Sequence, residues 1–286
     1  MNTENFRAFI EVTATGSFQK ASEHLHITQS TVSARIKALE QKLNRELFTR
    51  KRDGVALNGA GKAFYPYALS VVKTWQQAQQ EVTLPAGIDG IVSLGIPIHY
   101  WSKIYSDWLD WMNTNAQNVA THIQSDYSVY LLQELSEGLL DVSLVFETKR
   151  IPGLYFEPLF TESLVLMSTE PRSIIEAHQE GYIYIDWGLQ FQEQHNREFP
   201  EISQHRITLA LESQALEHCL TRGGSAYFAR TTAQPLIDQQ CLYPVDQAPI
   251  FNLTISLAVA ESKRNDPIIQ KAIQGLKENP FIKSSQ

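Results

Sequence analysis

Two small polar residues, Ser17 and Thr28, frame what the amino-terminal segment can fold into. Each stands directly before a run of helical periodicity, where a side-chain oxygen accepts an otherwise orphaned amide of the first turn. Ahead of Ser17, Phe6, Phe9, Ile10 and Thr13 fall at helical spacing until Gly16 breaks the pattern. Behind it, Phe18, Ala21 and Leu25 share one face, and His26-Ile27 makes a turn. After Thr28, Val32, Ile36, Leu39 and Leu43 recur at steps of four, three and four. Short helices with one apolar stripe each must pack on one another, and the last two read as a helix–turn–helix over residues 17–43. Asp53-Gly54 then turns between Phe48 and the alternating Val55-Ala56-Leu57, a small wing with a basic, glycine-containing tip.

Residues 58–83 read as one long helix, opened by Asn58 and Gly59-Ala60-Gly61. Phe64, Ala68, Val71, Trp75, Ala78 and Val82 follow at steps of four and three, the spacing of a coiled-coil seam. That spacing points to pairing with a second chain, with packing on its own domain as the alternative. Pro66 inside the segment implies a kink or a late start, since an interior proline costs about 3 kcal/mol. Leu84-Pro85-Ala86-Gly87 is a hinge.

From Gly90 onward strand and helix patterns alternate for nearly two hundred residues, which argues for α/β architecture with mostly parallel sheets. Strands are expected at 91–98, 119–124, 142–146, 155–160, 164–168, 182–186, 207–211, 226–229 and 253–260.

The net charge of −7 hides an asymmetry. Residues 1–60 carry nine basic and six acidic side chains, while the remainder carries 15 basic and 25 acidic. Seven of the bases fall in 35–52 against two acids. A basic end on an acidic body suits one part that meets a polyanion and another that does not. The start of the helix after Thr28 has the composition of a major-groove reader. Gln29 can bridge an adenine edge, Thr28, Ser30, Thr31 and Ser33 are short enough for close approach, and Arg35 and Lys37 can neutralise phosphate. Arg50, Lys51 and Arg52 at the wing tip can lie along the flanking backbone. The partner these residues imply is double-stranded DNA.

At these residues a resemblance becomes specific. Phe9-Ile10-Glu11-Val12, Gly16-Ser17-Phe18, Ala21-Ser22-Glu23-His24-Leu25, Thr28-Gln29-Ser30-Thr31-Val32-Ser33, Ile36-Lys37-Ala38-Leu39-Glu40, Leu47-Phe48-Thr49-Arg50 and Gly59-Ala60-Gly61 stand in register with the LysR-type transcriptional regulators. Downstream, Leu135 to Val142 and Arg222 to Phe228 resemble further family segments. Tyr65-Pro66-Tyr67-Ala68 and Asp186-Trp187-Gly188 resemble the subgroup that contains an enteric repressor of the flagellar master operon. The resemblance implies an N-terminal all-α winged helix–turn–helix with a long linker helix. It also implies a C-terminal α/β periplasmic-binding-protein-like effector domain of two Rossmann-like subdomains. The implied function is a sequence-specific DNA-binding regulator, homodimeric or homotetrameric, whose promoter binding responds to a small-molecule effector. Family contacts to DNA come from positions matching Gln29, Ser30, Ser33, Ala34 and Arg35; Ala34 departs from the larger or basic side chain members often carry. Asn58 replaces the usual threonine cap. The implied boundaries are 1–58 for DNA binding, 59–88 for the linker helix and hinge, and 89–286 for the effector domain. Within the last, one half is 91–162 plus 266–286 and the other is 163–265.

Ligands in such folds sit at strand ends, which here places Pro97, His99, Tyr100, Trp101, Ser128, Phe146 and Trp187 in the effector cleft. That lining suits a partly apolar molecule rather than a phosphate, and the same aromatics would equally fill a core. His99 is placed either to titrate near neutral pH or to serve as a structural histidine. A small-molecule-binding or enzymatic α/β protein on a helical scaffold, or a thiol redox sensor, is the competing reading. Cys219 lies in a helical pattern and Cys241 at the start of an apolar strand pattern, neither beside a cluster of bases, so both read as buried inert thiols. Histidine spacing shows no metal site and no serine elbow is present, so no metal, cofactor or catalysis is expected. No run of eighteen apolar residues and no secretory signal occur, so the expected compartment is the cytoplasm.

Overall fold

The computed structural model describes residues 2–51, 54–146, 151–202 and 205–285. Contacts divide the chain into two compact units, 1–86 and 87–286. The linker helix therefore belongs with the amino-terminal unit.

In the first unit, α1 (Thr3–Thr15), α2 (Phe18–His24) and α3 (Gln29–Leu43) are followed by β1 (Phe48–Lys51), β2 (Gly54–Leu57) and α4 (Gly59–Val82). Each boundary has a local cause. Gly16 ends α1 with a left-handed backbone and donates its amide to the Val12 carbonyl. Ser17 caps α2, and the Thr28 hydroxyl accepts the Thr31 amide at 3.2 Å to open α3. Asn58 keeps the capping role: its Oδ1 accepts the Gly61 amide at 2.8 Å, while its Nδ2 donates to the Glu46 carbonyl at 2.7 Å. The wing strands pair antiparallel from Phe48 opposite Leu57 to Lys51 opposite Gly54. The Val55 amide donates to the Gly16 carbonyl, an approach so close that a Cβ on Gly54 would collide with that oxygen.

Phe6, Phe9, Val12, Val32, Ile36, Leu39 and Leu47 form the core of this unit. Helix α4 closes it. Phe64 packs its ring on Phe6 and Phe9, Ala68 is fully buried and Val71 is partly buried in the same core. The amino-terminal half of the expected seam is thus spent on its own domain, with Val72 joining it. Trp75 (48% exposed), Ala78 and Val82 (87% exposed) remain open. The late start expected from Pro66 does not occur: α4 is helical from Gly59 through Pro66. The packing of Phe64, Tyr65 and Ala68 on either side offsets the backbone hydrogen bond that proline removes.

The second unit contains β3 (Gly90–Pro97), α5 (Trp101–Asn115), β4 (Val119–Asp126), α6 (Ser128–Ser136), β5 (Val142–Val145), β6 (Leu154–Ser168), α7 (Ile174–Gln179), β7 (Tyr182–Ile185), α8 (Leu189–Glu198), β8 (Ile207–Leu209), α9 (Glu212–Arg222), β9 (Ser225–Ala229), α10 (Arg230–Asp238), β10 (Tyr243–Pro244), β11 (Phe251–Ala260), α11 (Pro267–Glu278) and α12 (Pro280–Ser284). The strand order is β4-β3-β5-β11-β6-β9-β7-β8, with β10 beside β6. Two parallel wings, β4-β3-β5 and β9-β7-β8, are joined by the long antiparallel pair β6 and β11. The sheet is therefore mixed rather than mostly parallel. The segments 155–160 and 164–168, expected as two strands, are one, because the polar Thr161-Glu162-Ser163 between them stays paired with Leu253 and its neighbours. At the carboxyl end, α11 and α12 pack on α5 and β3, and the Trp108 Nε1–H donates to the Ala272 carbonyl at 2.9 Å.

Candidate functional sites: a polar helix face and a cleft

On α3, Val32, Ile36 and Leu39 point into the core. Gln29, Ser33 and Lys37, four residues apart, are exposed and line one shallow groove together with Ser17 and Gln19 at the start of α2 and Gly54 and Val55 of the wing. Thr28 and Ser30 are exposed at the helix start, and Thr31 is half-buried there. The Thr28 hydroxyl lies 2.9 Å from that of Ser30 and 2.8 Å from that of Thr31, so these three form a capping cluster. Arg35 sits apart from the groove: its guanidinium pairs with Glu4 of α1 at 3.0 Å. Arg50 and Lys51 belong to β1, their side chains outside the described atoms, and Arg52 lies outside the described residues. Reading the sequence missed Ser17 and Gln19; their signal was the α2 cap, whose second role as a groove wall depends on how α2 crosses α3.

The second unit holds a cleft of about 960 Å³ where the carboxyl ends of β3, β4, β5 and β7 converge. Pro97, His99, Ser128, Phe146 and Trp187 line it as the sequence placed them. Tyr100 and Trp101 do not. A turn closed by the Tyr100 amide on the Pro97 carbonyl swings Tyr100 into the core, against Phe160 and Phe281, with its hydroxyl 3.5 Å from Glu162. Trp101 opens α5 and stacks on Tyr105. The lining that sequence reasoning missed includes Asp126, Tyr127, Tyr130 and Leu132, and Asp186 joins them at the end of β7 beside Trp187.

His99 is a structural histidine rather than a neutral-pH titrant. It stacks on Trp187 with ring centroids 4.4 Å apart, its Nε2 lies 2.8 Å from the Asp186 carbonyl, and burial pushes its pKa down to about 4. The Trp187 indole N–H donates to the Tyr227 carbonyl at 3.0 Å. Ser128 is used locally, its hydroxyl accepting the Phe146 amide at 2.9 Å. Burial, followed by the charges of Asp186 and Asp126, raises the Tyr127 hydroxyl above its usual range. Behind the cleft, Thr231 donates to Glu162 at 3.0 Å and Thr232 to Glu212 at 2.9 Å. Lys103 lies 3.7 Å from Glu212, whose carboxyl burial holds above the ordinary value. Cys219 is buried and its thiol is pushed up to about 12, but Cys241 is exposed in the turn after α10, since the strand expected there begins only at Tyr243. A thiol raised that far is a poor nucleophile, which removes one half of a redox pair.

The profile of the bacterial regulatory helix-turn-helix proteins of the lysR family matches residues 3–62, and that of the LysR substrate binding domain matches residues 85–280. The chain belongs to the LysR family. It is a transcriptional regulator with a DNA-binding helix–turn–helix and an effector-binding domain, acting on promoter DNA, and its relatives are regulators rather than enzymes. It is 31% identical over 207 residues to the HTH-type transcriptional regulator HdfR of Yersinia enterocolitica, covering 69% of this chain and 70% of that one. To HdfR of Escherichia coli O45:K1 it is 32% identical over 197 residues, 68% of this chain and 69% of that one. These relatives form the subgroup that the Tyr65–Ala68 and Asp186–Gly188 segments resemble. The crystal structure of CbnR, a LysR family regulator, matches over the whole of both chains with a TM-score of 0.71 at 16% identity. Full-length CbnR complexed with its target DNA matches with a TM-score of 0.70 at 16% identity, over 98% of this chain and all of that one. At that identity the two structures speak for the fold. No helix among the described residues is long and apolar enough to cross a membrane.

Proposed function

We propose that this LysR-family regulator reads its operator with the Gln29–Ser33–Lys37 face of α3 in the major groove. Thr28, Ser30 and Thr31 stand at the helix start, Arg35 reaches phosphate at its flank, and the Arg50–Arg52 wing follows the adjoining backbone. The observation that carries this reading is the row of exposed polar side chains four residues apart on a helix whose opposite side buries Val32, Ile36 and Leu39, with Leu43 at its end left exposed. Two chains pair through Trp75, Ala78 and Val82, the open end of the α4 stripe. Pairing sets two half-sites about 34 Å, one helical turn, apart. Residues 1–58 read, 59–88 link, and 89–286 sense an effector in the cleft between the halves 91–162 plus 266–286 and 163–265. The protein works in the cytoplasm, where its promoters are.

Genome-wide footprinting of the full chain followed by gel shifts on the recovered fragments tests this. Binding should favour those fragments over random DNA and weaken between 50 and 200 mM salt with a slope of about −0.9 per phosphate neutralised. Equal affinity for random DNA, or no retained fragment, overturns the reading.

A further inference from the structure

The cleft has a charge character that the aromatic lining alone does not convey. Two carboxylates line it: Asp126 at the end of β4 and Asp186 at the end of β7, one from each wing of the sheet. Each uses Oδ1 to accept a neighbouring backbone amide, Tyr127 at 2.7 Å and Gly188 at 3.1 Å. No hydrogen bond to either Oδ2 is found among the described residues. Both carboxylates line the same cleft as Tyr127 and Gly188, the residues whose amides they accept. Among the described residues no lysine or arginine lines it, and His99 is neutral there.

Helices α6 and α8 also begin at this cleft, and helix amino termini favour anions. Each supplies roughly half a positive charge. Among the described residues, two such termini against two full carboxylates leave about one net negative charge at the cleft. Leu132, Phe146 and Ile151 give the cleft an apolar wall beside the neutral Gln133 and Ser136, and Tyr127 and Tyr130 add ring surfaces that attract cations. Phosphates and free carboxylic acids are therefore disfavoured.

Resting on the effector-cleft reading above, we propose that the cleft takes an organic amine in its protonated form, the ammonium held between Asp126 and Asp186 and the apolar body against the Leu132–Phe146 wall. Ammonium donors satisfy the carboxylate oxygens to which no described residue donates, and the apolar body replaces water on a surface of matching character.

Three indoles of similar size and different charge test it by calorimetry on the full chain at neutral pH: tryptamine, tryptophol and indole-3-propionate. Tryptamine should bind at least about tenfold more tightly than tryptophol, and indole-3-propionate most weakly. Asp126→Asn and Asp186→Asn should each weaken tryptamine roughly tenfold while leaving the unfolding midpoint and tryptophol binding unchanged. Indole-3-propionate binding best overturns the amine and turns attention to Lys149 and Arg150, outside the described residues. Equal binding of all three, no binding of any, or tryptamine indifferent to both substitutions overturns it as well. A thermal-shift screen of a mixed-charge metabolite library separates the two failures. Hits confined to acids or neutral compounds remove the amine and keep the effector cleft, whereas no hit of any charge removes both.

Discussion

Helix α3 gathers its outward polar face from one uninterrupted stretch, Gln29 to Lys37, while the cleft gathers its lining from segments spread between Pro97 and Leu189. In the first case side-chain spacing along one helix decides what faces outward, because a period of 3.6 fixes the face once the core residues are known. In the second, the convergence of four strand ends decides it, and the residues that meet are set by turns and pairings. The polar face of α3 is therefore tied to the stability of a small core, and the cleft lining to the geometry of a large sheet.

Breaking the core of the first unit should have the largest effect. Phe9 is fully buried against Phe48, Phe64 and Tyr65. Phe9→Ala should destabilise this unit by about 3–5 kcal/mol. Calorimetry should show its transition lost or shifted far down with the second unit's transition in place, and operator binding gone. Loss of both transitions together would break the comparison.

Acid should act on the other unit. His178, His195 and His205 cluster between α7, α8 and β8, and burial lowers all three, His195 to about 3. A histidine lowered in the folded state binds fewer protons than in the unfolded chain. Its contribution is complete above the ordinary value near 6.5 and is lost as pH falls from there toward 3. For His195 alone the slope approaches about 1.4 kcal/mol per pH unit. The second unit's unfolding midpoint should fall steeply below pH 6; a flat profile to pH 4 would mean that the cluster opens to solvent.

Within the reading face, Gln29→Ala should cost about 1–3 kcal/mol on the true operator and less on mismatched sites. Lys37→Ala should weaken all sequences alike and lower the salt slope by about one. Gel shifts across salt sharpen the distinction between base reading and backbone holding, and identical behaviour of the two variants would erase it. Smallest of all, Asn58→Ala should cost about 1 kcal/mol of the first unit's stability by removing the α4 cap, measurable by urea titration.

Where the sequence was legible, one local rule sufficed. The caps at Ser17, Thr28 and Asn58, and the stripe Val32–Ile36–Leu39, follow from spacing and hydrogen-bonding capacity alone. The α4 stripe was half legible: spacing shows that Phe64 to Val82 share a face, but not that α1 covers its first half. At the cleft, His99 and Trp187 were found because they follow strands. Tyr100 and Trp101 were misplaced because a single turn after Pro97 sends consecutive side chains to a core, a helix start and a cleft. Asp126 carried no pattern of its own, Asp186 was marked only as a strand end beside Trp187, and their pairing across the cleft arises from strands that approach only in the folded sheet. The gap left between the strands expected at 155–160 and 164–168 holds the buried Glu162, whose carboxylate accepts from the Tyr100 and Thr231 hydroxyls.

The return of α11 to α5 bears on how the molecule is made. Trp108 and its apolar surroundings, completed by Ile269, Ala272 and Leu276, wait for those much later residues to leave the ribosome. The helices that meet DNA are by then long finished, since domains acquire structure in the order of synthesis. A polypeptide released before Pro267 would present a complete reader beside a half-built sensor with a bare tryptophan face. Such a fragment would compete for promoters without answering to any small molecule, until proteolysis, drawn to the uncovered core, cleared it.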